Sequence, residues 1–472
     1  MRWSRESLRL MINLTERNNL YFLVFSALGV LISLLIQVNL IIPLLLVGLC
    51  GYLKASRSSR KNLNFLNIAL LYLLNFAIGY LTIQKAPSLF YIPFAVIPML
   101  SILLFNDLEI SFIISLASSV SIAYFSPSPF LLLLLSLNSS LSAILLVRGS
   151  RKRITIIQSG IIVGLIQAAS LLFIENFQII NLDRHLLLFI NGLASSIIVL
   201  GILPVFEYLF RTVTNISLLE LGDFNHPLLQ RLMLEAQGTY LHSLVVGNLS
   251  ESACRAVGAN SLLARIGAYY HDIGKIEKAE YFSENQEALL SKHDDLSPSM
   301  SKLIIMNHVK EGVDLAKKYK LSPVLIDFIT QHHGNSLVYY FYRKALEGLE
   351  ENQEVEEEPF RYPGPKPTTK ETAIVLLADS AEAATRALKE PSQSKIEEVV
   401  HKIINNKFID GQLDECDLTL KDLEIIAAVF IRILGGIYHA RVSYPEETRS
   451  DNYKESPKED SHLSEEDKKD NS

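Results

Sequence analysis

Six of the chain's 11 histidines crowd into 92 residues: His242, His271, His293, His308, His332 and His333. Neutral imidazole is a common metal ligand, so their settings matter. His271-Asp272 closes an apolar helical run (Ile266, Ala268, Tyr269, Tyr270), and Ile273-Gly274-Lys275 follows. A helix stopping at that glycine delivers an imidazole, a carboxylate and an ammonium to one end. His293-Asp294-Asp295 sits in a polar stretch before Ser297-Pro298 and reads as a turn. His332-His333 precedes Gly334 at the end of another helical pattern, where adjacent imidazoles either share a metal or point apart. His308 follows Ile304, Ile305 and Met306 in an amphipathic helix, where a satisfied, partly buried histidine is the ordinary alternative to a ligand. His242 follows Gly238-Thr239-Tyr240-Leu241 at a helix start. Asp379 ends the apolar run Ile374 to Ala378, where a carboxylate is costly unless paired or metal-bound.

Five imidazoles (His242, His271, His308, His332, His333) and two carboxylates (Asp272, Asp379) suit a pair of transition-metal ions. Such a donor set favours iron, manganese or zinc over magnesium or calcium. Two ions ~3.5–4 Å apart clamp a phosphodiester and activate water. Rival chemistries lack their residues. Cys50, Cys254 and Cys416 are too widely spaced for a disulfide framework or a cysteine zinc site, which suits a reducing compartment. Gly247, Gly258 and Gly267 make no nucleotide-binding fingerprint.

These residues must be positioned by helices. Helical periodicity marks 239–257, 260–270, 299–319, 322–332, 336–349, 371–389, 394–406 and 418–440, with no convincing alternating strand. An acidic and proline-rich insert spans 347–369: seven glutamates fall in 347–358, then Pro359, Pro363, Pro365 and Pro367 exclude a helix. Residues 445–472 are charged, with Leu463 as their one aliphatic side chain, and read as a disordered acidic tail. The expected soluble unit is therefore 212–444.

The rest of the chain differs in kind. Residues 1–211 carry 15 Lys+Arg and 7 Asp+Glu, a net of +8. With −6 overall, residues 212–472 carry −14. That acidic half has no basic excess to neutralise phosphates, which argues against DNA or RNA as a partner. After a cytoplasmic N-terminus at 1–19, apolar runs at about 20–36, 39–53, 65–84, 88–105, 109–125, 129–147, 154–174 and 186–210 give a transmembrane domain of six to eight helices over 20–211. With eight spans, the basic clusters at Arg2–Arg17, Lys54–Lys61 and Arg148–Arg153, and Arg211, fall on one side, the cytoplasmic one. The spans hold almost no ionisable groups, so a multi-span anchor or sensor is favoured over a transport path.

The ordered motifs carry a resemblance. Gly238-Thr239-Tyr240-Leu241-His242-Ser243, His271-Asp272-Ile273-Gly274-Lys275, Glu284-Asn285-Gln286, Leu296-Ser297-Pro298, Gln331-His332-His333-Gly334, Phe360 to Pro367 and Ala378-Asp379 together resemble the HD domain of PgpH-type membrane phosphodiesterases, over roughly 190–390. The resemblance implies an all-α fold: a polytopic transmembrane helical domain, then an all-helical HD metallophosphohydrolase domain. It implies hydrolysis of cyclic di-AMP to the linear dinucleotide pApA, in a bacterial plasma membrane with the HD domain cytoplasmic. The cofactors implied are two divalent ions, manganese or iron. His242, His271, Asp272 and Asp379 would hold one; His308, His332 and His333 the other, with Asp272 bridging. Lys275 would contact or neutralise the phosphate.

Two departures from the family stand out. No large soluble segment follows a first span, and Leu241 stands where relatives often carry a histidine beside the ligand. Two other functions stay open: an HD phosphodiesterase for a different nucleotide, and a silent nucleotide-binding membrane receptor. Besides substrate and bilayer, a homodimer is a partner to be tested.

Overall fold

Apolar periodicity becomes helix through most of the residues that the computed structural model describes, namely 48, 65–179, 181–286, 292–347 and 355–438. The expected spans 20–36 and, apart from residue 48, 39–53 lie outside the described residues, as do most of the glutamate run and the whole tail. No strand forms among the described residues, and an isolated antiparallel bridge joins Leu337 to Arg361.

The basic half supplies α1 (Phe65–Lys85), α2 (Val96–Phe105), α3 (Leu108–Tyr124), α4 (Pro129–Val147), α5 (Arg153–Ile174) and α6 (Leu182–Phe210). Helices α1, α4, α5 and α6 are long and apolar enough to cross a membrane. The apolar run at 88–105 is not one continuous helix. A 3-10 turn covers Leu89–Tyr91, and the helix resumes only at Val96. Pro93 lacks an N–H and disfavours helix just before it. The Asn191 amide of α6 donates to carbonyls at this break, Phe90 O at 3.0 Å and Ile92 O at 2.7 Å. Val96 through Leu104 are all buried, so α2 is enclosed by α3, α4 and α6. Helices α5 and α6 meet through Gly160, Gly164 and Gly192. A Cβ on Gly192 would lie 2.3 Å from Gly164 N, so only small residues permit this approach.

The junction to the acidic half is tied by polar contacts. Glu207, near the end of α6, accepts from Thr214 N and Ser217 Oγ, each at 2.8 Å. Arg153, at the first turn of α5, makes a two-pronged pair with Glu220 of α7 (Asn215–Leu221), at 2.6 and 2.9 Å.

The acidic half continues with α8 (Pro227–Glu235), α9 (Gln237–Ala256), α10 (Ser261–Tyr270), α11 (Pro298–Lys318), α12 (Pro323–Gln331), α13 (Tyr339–Glu347), α14 (Lys370–Arg386), α15 (Gln393–Ile409) and α16 (Leu420–Tyr438). Each expected helical stretch forms, its ends within three residues of expectation except those expected at 349 and 440, which lie outside the described residues. The short helices α7 and α8 and a 3-10 segment at Ile273–Tyr281 were not anticipated. Caps fix where the ligand-bearing helices begin. Asn260 Oδ1 accepts from Leu263 N at 3.1 Å for α10, and Ser297 Oγ from Met300 N for α11. Thr369 and Thr372 form a capping box on α14. Helix α14 runs through the centre, buried from Thr372 to Asp379, and packs against α9, α10, α12, α15 and α16.

Candidate metal centre

Five separate elements deliver the predicted residues to one place. His242 comes from the second turn of α9, and Asp379 from the middle of α14, opposite it. His271 and Asp272 cap α10, where the chain turns into the 3-10 segment. His308 lies on α11, and His332 and His333 follow the last turn of α12. Gly274 makes this meeting possible, because a Cβ there would sit 1.8 Å from the His308 carbonyl.

The two oxygens of Asp272 face opposite ways. Oδ1 is 3.4 Å from both His308 Nε2 and His332 Nε2. Oδ2 is 3.2 Å from His271 Nε2 and 3.8 Å from His242 Nε2. Asp379 closes the second group, 3.0 Å from His242 Nε2 and 4.0 Å from His271 Nε2. Two sets of ligand atoms result, each within 4.8 Å of one another: Asp272, His308, His332 and His333, and His242, His271, Asp272 and Asp379.

The residues fit divalent cations. His271 Nδ1 donates to Ala268 O at 2.7 Å, His332 Nδ1 to Ile329 O at 2.9 Å, and His308 Nδ1 to Ile305 O. Each of these imidazoles is thereby oriented with Nε2 inward, as metal-ligating histidines are. His271 Nε2 and Asp272 Oδ1 are buried with no hydrogen-bond partner. The facing Nε2 atoms of His308 and His332, 3.2 Å apart, need a proton or a cation between them. A divalent metal is what this donor set accommodates.

The electrostatics agree. Burial works against the charge on Asp272, yet His271 and Lys275 hold its carboxyl well below the usual range. Burial opposes Asp379 likewise, but the hydrogen bond from His242 holds its carboxyl well below the usual range. Burial also disfavours a proton on His242; hydrogen bonds to Asp379 and Glu382 outweigh it and raise its pKa to about 9. His308 is pushed down to about 4 by burial, and His333 well below its ordinary value for the same reason and by neighbouring His332. Access is from one side. The His333 side chain is 21% exposed and that of Asp379 11%, against 0–2% for the other five.

Lys275 is not an exposed helix-end lysine. Its Nζ lies 2.7 Å from both Asp272 Oδ2 and Glu284 Oε1. Glu284 also accepts from Thr239 Oγ1 at 3.2 Å, and Asn285 Oδ1 accepts from Thr239 N at 3.0 Å. The Glu284-Asn285 motif therefore ties the start of α9 to the lysine. Gly238 lets the two segments touch, since a Cβ there would lie 1.8 Å from Glu284 O. His293 sits in a turn outside the cluster, its Nε2 at 2.8 Å from Tyr281 O. Leu241 is 56% exposed, so the residue at that position does not face the ligands.

Two residues went unassigned in the sequence reading. Glu382 is buried and accepts from His242 Nδ1 at 2.5 Å; its signal was a second carboxylate three residues past Asp379 on the same apolar helix. Tyr362 stacks on His333, ring centroids 4.3 Å apart.

Membrane-length apolar helices joined to a helical bundle with a twofold His/Asp cluster define a membrane-associated HD-domain protein. The comparisons agree. Residues 28–214 match the family described as 7TM receptor with intracellular HD hydrolase, and residues 239–384 match the HD domain. The PgpH cyclic-di-AMP phosphodiesterases are homologues of this chain. It is 45% identical to the cyclic-di-AMP phosphodiesterase PgpH of Bacillus subtilis over 66% of this chain and 44% of that protein. It is 38% identical to PgpH of Listeria monocytogenes over 79% of this chain and 52% of that one. The chain thus spans about half the length of these relatives. The crystal structure of the L. monocytogenes PgpH HD domain in complex with cyclic-di-AMP is 46% identical, covering 46% of this chain and all of that one, with a TM-score of 0.44.

Proposed function

We propose that the chain is a membrane-bound phosphodiesterase that hydrolyses cyclic di-AMP to linear pApA at a two-metal centre, with manganese or iron as the cations. The observation that carries this is the division of Asp272, whose two oxygens serve separate imidazole groups. When bound, the cations polarise the phosphodiester and lower the pKa of water. His242, His271 and Asp379 form the cradle on one side of Asp272, and His308, His332 and His333 that on the other. Lys275 is a positioning residue: it keeps Asp272 ionised and pointed inward. Glu382 fixes the ring of His242, and Tyr362 backs His333 at the open face. Water adds across one P–O bond of the ring, leaving a free hydroxyl on one nucleotide and a phosphate monoester on the other. The lysine- and arginine-rich loops support a cytoplasmic side of a plasma membrane for the HD unit, 212–444.

The test uses the full chain in detergent, purified without air, analysed for metals and then supplied with cyclic di-AMP. Two ions per chain and turnover to pApA, abolished in Asp272→Ala, support the reading. Tight binding without turnover makes the chain a receptor. Turnover of a different dinucleotide alone moves the substrate.

A further inference from the structure

One partly buried cation beside the centre has no role in the scheme above. Lys407 projects from α15, and its Nζ donates to Ser336 Oγ at 2.7 Å. Ser336 lies three residues after His333, and its carbonyl accepts from Tyr362 N at 3.0 Å. Lys407 therefore belongs to the wall formed by His333 and Tyr362, the side from which the metal cradle is open. Other cations near this wall are paired: Arg361 lies 2.9 Å from Asp410 and Lys366 3.7 Å from Asp414. None of the ion pairs among the described residues includes Lys407. Burial pushes its ammonium below the usual lysine range, against the attraction of Asp379 and Asp410 and with the repulsion of Arg361. Among the described residues the Ser336 hydroxyl is its one hydrogen-bonded partner, and a partly desolvated ammonium so placed favours an anion beside it.

We infer that Lys407 binds the second phosphodiester of a cyclic dinucleotide, the one not being cleaved. This rests on the substrate reading above. A ring with two phosphates offers one to the cradle and presents the other across the same ring, toward the open wall. A charge-assisted hydrogen bond from a partly buried ammonium suits that anion. The rest of the loop is braced for the task. Gln412 accepts from Asn335 N at 3.0 Å and donates to Asn335 Oδ1 at 2.7 Å, holding the turn that presents Ser336.

The test measures binding of a non-hydrolysable bisphosphorothioate analogue of cyclic di-AMP to the full chain with manganese present. Lys407→Met, which keeps the stem and removes the charge, is expected to weaken binding at least about tenfold. Hydrolysis of bis(p-nitrophenyl) phosphate, which has a single phosphodiester, should stay within about twofold of wild type. Lys407→Arg should restore most of the analogue binding. Unchanged analogue binding in Lys407→Met overturns the inference alone. Equal losses on both compounds overturn it too, because a purely structural lysine predicts that. No binding by the wild type refutes the cyclic-dinucleotide reading and the inference together.

Discussion

Gly274→Ala is the sharpest probe of how backbone packing builds the centre. The added Cβ would stand 1.8 Å from His308 O and 2.5 Å from Gly312 N, whereas real Cβ contacts essentially never fall below 3.0 Å. Both obstacles are backbone atoms of α11, so no side chain can swing aside. The helix must retreat from the 3-10 segment by about 1.2 Å. His308 Nε2 is 3.4 Å from Asp272 Oδ1, and an ion between them tolerates bond lengths within only about 0.2 Å of ideal. The cradle of His308, His332 and His333 therefore loses a ligand, while His242, His271 and Asp379, on α9, α10 and α14, keep theirs. With the two-metal centre proposed above, metal per chain should fall from two toward one, with an overpacking cost of about 1–3 kcal/mol or more in stability. Elemental analysis after gel filtration and thermal unfolding read both quantities. Gly312→Ala is the graded control, because its Cβ meets the Ile329 side chain, not backbone, and less closely, at 2.8 Å. Wild-type metal content and an unchanged Tm in Gly274→Ala would refute the claim that close backbone approach sets the ligand geometry.

Other outcomes follow from the same geometry. Glu382→Gln keeps every ligand but weakens the partner of His242 Nδ1, and metal affinity should drop about 10–100-fold by competition titration; unchanged affinity would leave Glu382 a mere core acid. The pH response should reverse with metal. Without metal, His242 is protonated up to about 9 when folded but only to ~6.5 when unfolded, so its contribution to stability is complete below about 6.5 and is lost as pH rises to about 9. Metal binding must displace that proton, so affinity should climb with pH across the same window, about tenfold per unit at most; parallel trends for the two forms would contradict this. Tyr270 donates to Leu221 O at 2.6 Å, joining α7 to the turn that carries His271-Asp272, and Tyr270→Phe should cost about 1 kcal/mol, read by denaturant unfolding, with metal content intact.

What could be read from the chain and what could not divide along a physical line. Helices were legible because their apolar faces repeat at 3.6 residues, and the ligands because histidines next to Asp272 or Gly334 stand at helix ends, where a side chain can leave the helix axis. Apolar content alone did not separate a helix facing lipid from one enclosed by other helices. It also hid the interruption within 88–105, where Pro93 breaks the helix and Asn191, about a hundred residues away, donates to the carbonyls at the break. Lys275 was seen but its pairing with Glu284 was not, since it depends on a 3-10 segment with no periodic signature. Glu382 and Lys407 share a deeper reason. Each is a charged residue on a helix that also needs a polar face, and sequence spacing does not tell a solvated charge from one aimed inward. Only the partner decides: His242, 140 positions earlier, for Glu382, and the loop after His333 for Lys407. A metal centre makes its ligands conspicuous by residue type, whereas the groups that orient those ligands are ordinary acids, lysines and glycines, recognisable once tertiary distances are known.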